Sequence, residues 1–307
     1  MFMYKFTFVF IVGFFIVSCQ SKNKNIDQQE TEFSFIFMTD IHLKPEANAT
    51  KAFMLAIDTA NRLHADFVLT GGDLVFDVMR GNLPRADSLF QLYLKSIKTF
   101  NMPVYNTVGN HDLYGIYEEG GISPSDPDFK YGMFERYLGK TYYSFDHKGW
   151  HFIVLNTLDI NDDRRYTNVI GEDQIAWLKD DLSRVDRETP IVVSLHLPLL
   201  SAFYDVYEES LPPRPPVSAS NKTVPIRHEI MRIFKNHNLT LVLQGHHHCL
   251  EDICINGKTH FITGGAVSGY SWKGVRFVEE GFLLIKVKGN KFSWEYIDYG
   301  WNVPVVQ

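Results

Sequence analysis

Five short stretches of this 307-residue chain close an apolar run with residues that can bind a cation or move a proton. They are Asp40 and His42 in TDIHL, Asp73 in GGDLV, Asn110, His111 and Asp112 in GNHD, His196 in SLHLP, and His246, His247 and His248 in GHHH. Imidazoles favour Zn, Mn or Fe, while carboxylate and amide oxygens keep harder ions such as Mg possible. Taken singly, each cluster is weak: an Asp after a strand is commonly a helix cap, and a lone His is commonly a hydrogen-bonded core or surface residue. Five such clusters at five strand ends are hard to assign to caps. Three consecutive histidines cannot all face one ion. Gly245 lets the chain turn, and alternation beyond it sends His246 and His248 to one side and His247 to the other.

The elements that must carry these residues follow from periodicity. FSFIFMTD and DFVLTGGD are apolar runs ending in an acid, and TPIVVSLHLP and LTLVLQGHHH are buried strands of the same kind. Helical spacing falls between them, at Thr50–His64, Pro84–Phe100, Glu172–Val185 and Pro225–His237, the last starting at its proline. TYYSFDHKGWHFIVLNT reads as a hairpin turning at Lys148-Gly149. Two more hairpins turn at Asn256-Gly257 and Gly289-Asn290. Strand and helix alternate, so the expected fold class is α/β, with helices outside the sheet and the site at the strand carboxyl ends. No repeat or linker divides the chain after Glu32, so residues 33–307 read as one domain.

The five motifs, in order and spacing, resemble those of the calcineurin-like metallophosphoesterases: D-x-H, G-D, G-N-H-[DE], a lone His and G-H-x-H. The resemblance runs from Phe33 to about Tyr299. It implies a four-layer α/β/β/α sandwich of two mixed sheets flanked by helices, holding two divalent metal ions (Mn, Zn, Fe or Mg). Asp40, His42 and His248 would hold one ion, Asn110, His196 and His246 the other, and Asp73 would bridge them. His246 and His248 would thus serve different ions, and His247 would be dispensable. The implied reaction is cleavage of a phosphomonoester or phosphodiester by a metal-bridging hydroxide. His111 would be the general acid, its ring held by Asp112. One departure is informative: purple acid phosphatases carry a tyrosine ligand three residues after the bridging Asp, and here that residue is Phe76.

Two stretches beside the motifs are candidates for substrate selection. Leu113–Phe129 brings Tyr114 and Tyr117, and Ser201–Val224 brings Tyr204 and Tyr207, as groups that could stack on or hydrogen-bond a substrate. Their acids, including Glu118, Glu119, Glu208 and Glu209, should repel a polyanion and so favour compact mono- or diesters. The net charge is −6 and no basic run occurs, which disfavours a nucleic-acid partner. A nuclease of the same fold and a non-catalytic binding lipoprotein stand as alternatives, although every ligand position of the pattern is filled.

The N-terminus reads as an address. Lys5 precedes about a dozen apolar residues, Phe6–Val17, too few for the roughly 20 that span a bilayer but enough for a secretory signal. Ile16-Val17-Ser18-Cys19 resembles the lipobox of bacterial lipoproteins. Residues 1–18 would then be a signal peptide, Cys19 the lipidated residue, and 19–32 a polar, disordered tether. A soluble secreted protein with a chance cysteine is the alternative. The anchored reading implies a bacterial cell-envelope protein attached to the membrane by lipid. Gln20 after the cysteine points to the outer membrane rather than the inner. Cys249 and Cys254 could close a small disulfide loop there. Nothing in the sequence fixes an oligomeric state.

Overall fold

The computed structural model describes residues 31–203, 219–269, 271–272 and 280–302. Cys19, Tyr204, Tyr207 and the whole expected signal and tether up to residue 30 lie outside the described residues. Two mixed sheets lie face to face. The first runs β13-β12-β1-β2-β3, with β1 (Glu32–Met38), β2 (Phe67–Thr70), β3 (Val104–Tyr105), β12 (Gly281–Lys288) and β13 (Lys291–Asp298). The second runs β10-β11-β9-β8-β5-β4, with β4 (Tyr143–His147), β5 (Trp150–Val154), β8 (Pro190–Ser194), β9 (Asn238–Gln244), β10 (Glu251–Ile255) and β11 (Thr259–Thr263). A small hairpin, β6 (Leu158–Ile160) with β7 (Tyr166–Asn168), stands apart from both.

Strand β1 shows why the sheets pack as they do. Its side chains alternate, and both faces are apolar. Phe33, Phe35 and Phe37 enter the layer between the sheets, where Phe35 stacks on Phe67 at 5.0 Å and meets Phe152 edge-on at 5.4 Å. Ile36 and Met38 point the other way, into a core shared with α1 (Ala49–Arg62) and α2 (Leu83–Ile97). On the far side of the second sheet, Ile191, Val193 and Val242 pack against α4 (Glu172–Ser183) and α5 (Ala219–Ile233). A seven-residue helix, α3 (Gly132–Leu138), adds Met133 and Phe134 to the first of these cores. The layer order is thus α/β/β/α. Each buried Phe or Ile contributes about 1.5–3 kcal/mol, and favourable aromatic pairs add about 0.5–1.5.

The hairpins turn where expected, with Lys148 and Gly149 at φ 44° and 81° and Asn256 and Gly257 at 55° and 65°. Helix α5 departs from expectation. It begins at Ala219, so Pro225 lies inside it and not in its first turn. First-turn placement is a preference for proline, and here the upstream residues also wind into helix despite the lost amide donor. No helix among the described residues is long and apolar enough to cross a membrane.

Candidate metal centre

The parallel strands of both sheets deliver the five motifs to one end of the fold. Asp40 and His42 follow β1, Asp73 follows β2, the 3-10 turn Asn110–Asp112 follows β3, His196 follows β8, and His246–His248 follow β9. Backbone bonds lock these loops to one another. Asp40 N donates to Gly72 O at 3.0 Å, His42 N to Asp73 O at 2.9 Å, and Gly245 N to His196 O at 3.0 Å. Five of the expected ligands are non-glycine residues in the left-handed region: Asp40, His42, Asp73, His246 and His248, with φ between 45° and 75°. Such residues are uncommon, and they collect where a chain is forced to aim side chains at a site. His246 and His248 therefore share a side through two left-handed bends and not through strand alternation.

The donor atoms converge in two sets joined by an overlapping group. Asp40, His42 and His248 form one set, Asp73, His196 and His246 the other, and His42, Asp73 and His111 link them, each with its ligand atoms mutually within 4.8 Å. His248 Nε2 lies 3.2 Å from Asp40 Oδ1 and 3.1 Å from His42 Nε2. Asp73 Oδ2 sits between the sets, 3.3 Å from His196 Nε2 and 3.6 Å from His42 Nε2. Asn110 Oδ1 is 3.0 Å from His196 Nε2, which adds it to the second set. Donors about 2.0–2.2 Å from one cation stand roughly 3–3.5 Å apart, so these spacings suit a pair of ions sharing Asp73. Asp40 and Asp73 are at most 1% exposed, and both face imidazoles. The residues present fit two divalent metals.

Electrostatics agrees with that fit. Burial penalises the charged form of Asp40, but the His248 imidazole outweighs it and holds the carboxyl below its usual range. Burial likewise opposes ionisation of Asp73, and His196 and His111 overcome it. Burial drives His42 down to about 3 and His246 well below its ordinary value, so both rings are neutral and ready to ligate. His196 is raised to about 9, burial opposing and the Asp73 charge prevailing, and His248 is raised in the same way by Asp40. Each set therefore pairs a carboxylate with an imidazole whose protonated form that carboxylate favours. A ligating imidazole is neutral, so a metal would compete with protons at both.

Two supporting assignments need correction. Asp112 does not hold the His111 ring. It is fully buried, with Oδ1 accepting from the Leu74 and Val75 amides at 2.9 and 3.1 Å and Oδ2 from the Gly109 amide at 2.8 Å. It staples the Asp73 loop to the Asn110 turn, while His111 Nδ1 has no hydrogen-bond partner. Burial, then the Asp73 charge, push Asp112 up to about 8 against the pull of its amide donors. Tyr114 is not a rim residue either. It is 1% exposed within the apolar core, paired through its backbone with Lys130. Tyr114, two residues after GNHD, turns inward because the following loop folds back on Val78, with Gly115 N donating to Val78 O at 3.0 Å.

The remaining candidates sort by contact. His111 stays in the site: its backbone N donates to Asp73 Oδ1 at 2.7 Å, and its ring stands edge-on to His42 at 4.7 Å. His247 joins neither set. Its Nδ1 is 3.0 Å from Ser201 Oγ, and its ring stacks on Phe203 at 4.8 Å. Phe76 stands 6.5 Å from the His42 ring and has no atom to ligate with, while Lys44 Nζ lies over its face. Glu119 is paired with Arg165 at 2.5 Å, and Arg80 and Arg165 both stack on Tyr117. Glu119 is therefore not a bare negative charge at this loop. Cys249 is a buried thiol and Cys254 an exposed one, both free. One site neighbour escaped sequence reasoning: Tyr166 of β7, edge-on to His246 at 6.0 Å. Its short strand carries no motif that could have revealed it.

Comparison with known proteins identifies this architecture. The chain matches the calcineurin-like phosphoesterase family over residues 33–250 and belongs to it. Among curated relatives it is similar to purple acid phosphatase 13 of Arabidopsis thaliana, 32% identical over 123 residues, covering 36% of this chain and 20% of that protein. It is also similar to a manganese-dependent ADP-ribose/CDP-alcohol diphosphatase of Oryza sativa subsp. japonica, 26% identical over 180 residues, covering 47% of this chain and 55% of that protein. The chain thus spans well under two thirds of these relatives. A dimetal phosphatase from Danio rerio shares the fold, with a TM-score of 0.56 at 13% identity, over 87% of this chain and 99% of that one.

Proposed function

We propose that the protein is a metal-dependent hydrolase of phosphomonoesters or phosphodiesters. The observation that carries this reading is Asp73, a buried carboxylate set between two converging donor groups. Asp40, His42 and His248 would hold one divalent ion and Asn110, His196 and His246 the other. Such a pair supplies positive charge to phosphate oxygens and acidifies a water for attack on phosphorus. The chain's own residues do the rest. Burial of the donors excludes bulk water, and the left-handed loops fix the donors in place before substrate arrives. His111 stands beside both Asp73 and His42 and is partly exposed, so it can present a proton to a departing oxygen.

Leaving groups test that role. Purified, metal-loaded protein is expected to hydrolyse nitrophenyl phosphate esters and to lose the activity on chelation. His111→Ala should slow alkyl esters by about 10²–10⁴-fold, the usual range for a general acid, and nitrophenyl esters far less. Equal losses on both would remove His111 from proton transfer.

We further place the protein in a bacterial cell envelope, lipid-anchored through Cys19 and at the outer membrane, because of the apolar run Phe6–Val17 and the Ile-Val-Ser-Cys sequence after it. Palmitate incorporated by the wild-type chain is expected to vanish in Cys19→Ser. Persistence of the label would refute the anchor.

A further inference from the structure

Histidine ligands are normally oriented through the ring nitrogen that does not bind the metal. Two of the candidates here obey that rule. His196 Nδ1 is 2.7 Å from Gly71 O, and His248 Nδ1 is 2.6 Å from Gly269 O. His42 breaks it: its Nε2 faces the donor set, and its Nδ1 is buried without a hydrogen-bond partner among the described residues. Its direction is set instead through its backbone.

The backbone of His42 is where that constraint enters. His42 lies in the left-handed region at φ 45°, and its carbonyl accepts from Trp272 Nε1 at 3.0 Å. Trp272 is 2% exposed and itself left-handed at φ 67°. Neighbouring residues serve the other two members of the same set. Asp40 O accepts from Ser268 Oγ at 2.7 Å and from Ser268 N at 3.3 Å, and Gly269 O faces His248. Val267 N adds a bond to Thr39 O at 3.0 Å, and the Tyr299 hydroxyl holds Val267 O at 2.5 Å. All three donors of one set are thus held by one stretch of chain, and among the described residues its hydrogen bonds do not reach the second set. The stretch lies beyond residues 33–250, where the family match ends.

We propose that Val267–Gly269 with Trp272 form a positioning layer dedicated to the Asp40–His42–His248 ion, with Trp272 anchoring the His42 backbone from which the ring is aimed. The proposal rests on the two-ion reading above. Trp272 and Ser268 touch no donor atom that would bind metal. They act through the Asp40 and His42 backbones, so their loss weakens one ion and leaves the other.

The test is calorimetric titration of the metal-stripped full chain with Mn. Wild type is expected to show two binding steps. Trp272→Phe keeps an aromatic ring and removes the N–H donor. It should weaken one step by about 10–100-fold, the range for loss of an outer partner, and leave the other within twofold. Ser268→Ala should weaken the same step by a smaller factor, and it reads the proposal even where Trp272→Phe folds poorly. Melting of the metal-free variants records general loosening separately. Two unchanged steps in both variants, or two steps weakened together, would overturn the layer. A wild-type chain with fewer than two steps would instead overturn the two-ion reading beneath it.

Discussion

Asp73→Asn should leave a folded chain whose esterase activity is reduced by at least ~10²–10³-fold, the loss that follows removal of one electrostatic stabiliser from an active site. The fold survives because Asn is nearly isosteric and its amide oxygen can still accept from His111 N, the bond Asp73 Oδ1 makes at 2.7 Å. That orientation turns the NH₂ group toward His42 and His196, which Asp73 Oδ2 now faces at 3.6 and 3.3 Å. A donor then points where a shared anionic ligand is needed. Both ions weaken together, so metal content should fall along with turnover. Steady-state hydrolysis and metal analysis of the purified variant check this. Full activity would show that the two sets do not share Asp73.

Gly109→Ala is expected to be as damaging through space alone. Gly109 is extended, at φ −111°, so its backbone would accept any residue. A Cβ built there overlaps the Asp73 amide nitrogen and Oδ1 and comes within 2.8 Å of Asp73 Cα. Two of those atoms are backbone and cannot swing aside. Relief requires the loops after β2 and β3 to part, which breaks the Asp112 staple to the Leu74 and Val75 amides. Overpacking costs about 1–3 kcal/mol, or several degrees of melting temperature, and activity should fall further than stability because Asp73 itself is displaced. Gly171→Ala, whose Cβ meets nothing within 4 Å, is the matched control. A Gly109→Ala protein that melts and turns over like this control would refute the close contact.

These two residues mark what the sequence could and could not reveal. Apolar runs ending in Asp or His are local signals, so the strands that carry the motifs were readable residue by residue. The pairing of Glu172–Ser183 and Ala49–Arg62 with the sheets followed from helical spacing in the same way. Contacts across the fold were not readable. Asp112 sits next to His111 in sequence, and adjacency suggested a ring partner; the structure spends its Oδ1 on amides 37 and 38 residues away and its Oδ2 on the Gly109 amide. Tyr114 looked like a rim residue because it follows a motif, yet the loop doubles back and buries it. Trp272 had no local signal at all, since its partner His42 is 230 residues distant.

That last distance has a consequence for how the molecule comes into being. Strand β1, among the first described elements, pairs on one side with β12, residues Gly281–Lys288. His42 and Asp40 wait for Trp272 and Ser268. A ribosome adds about 5–20 residues each second, so some 10–50 s separate the emergence of Asp40 from that of the segment that holds it. Until Trp272 emerges, a half-made chain owns Asp40, His42 and His248 but lacks the layer that aims them. Loading of that ion would therefore be a late event, reserved for chains that have been finished and folded.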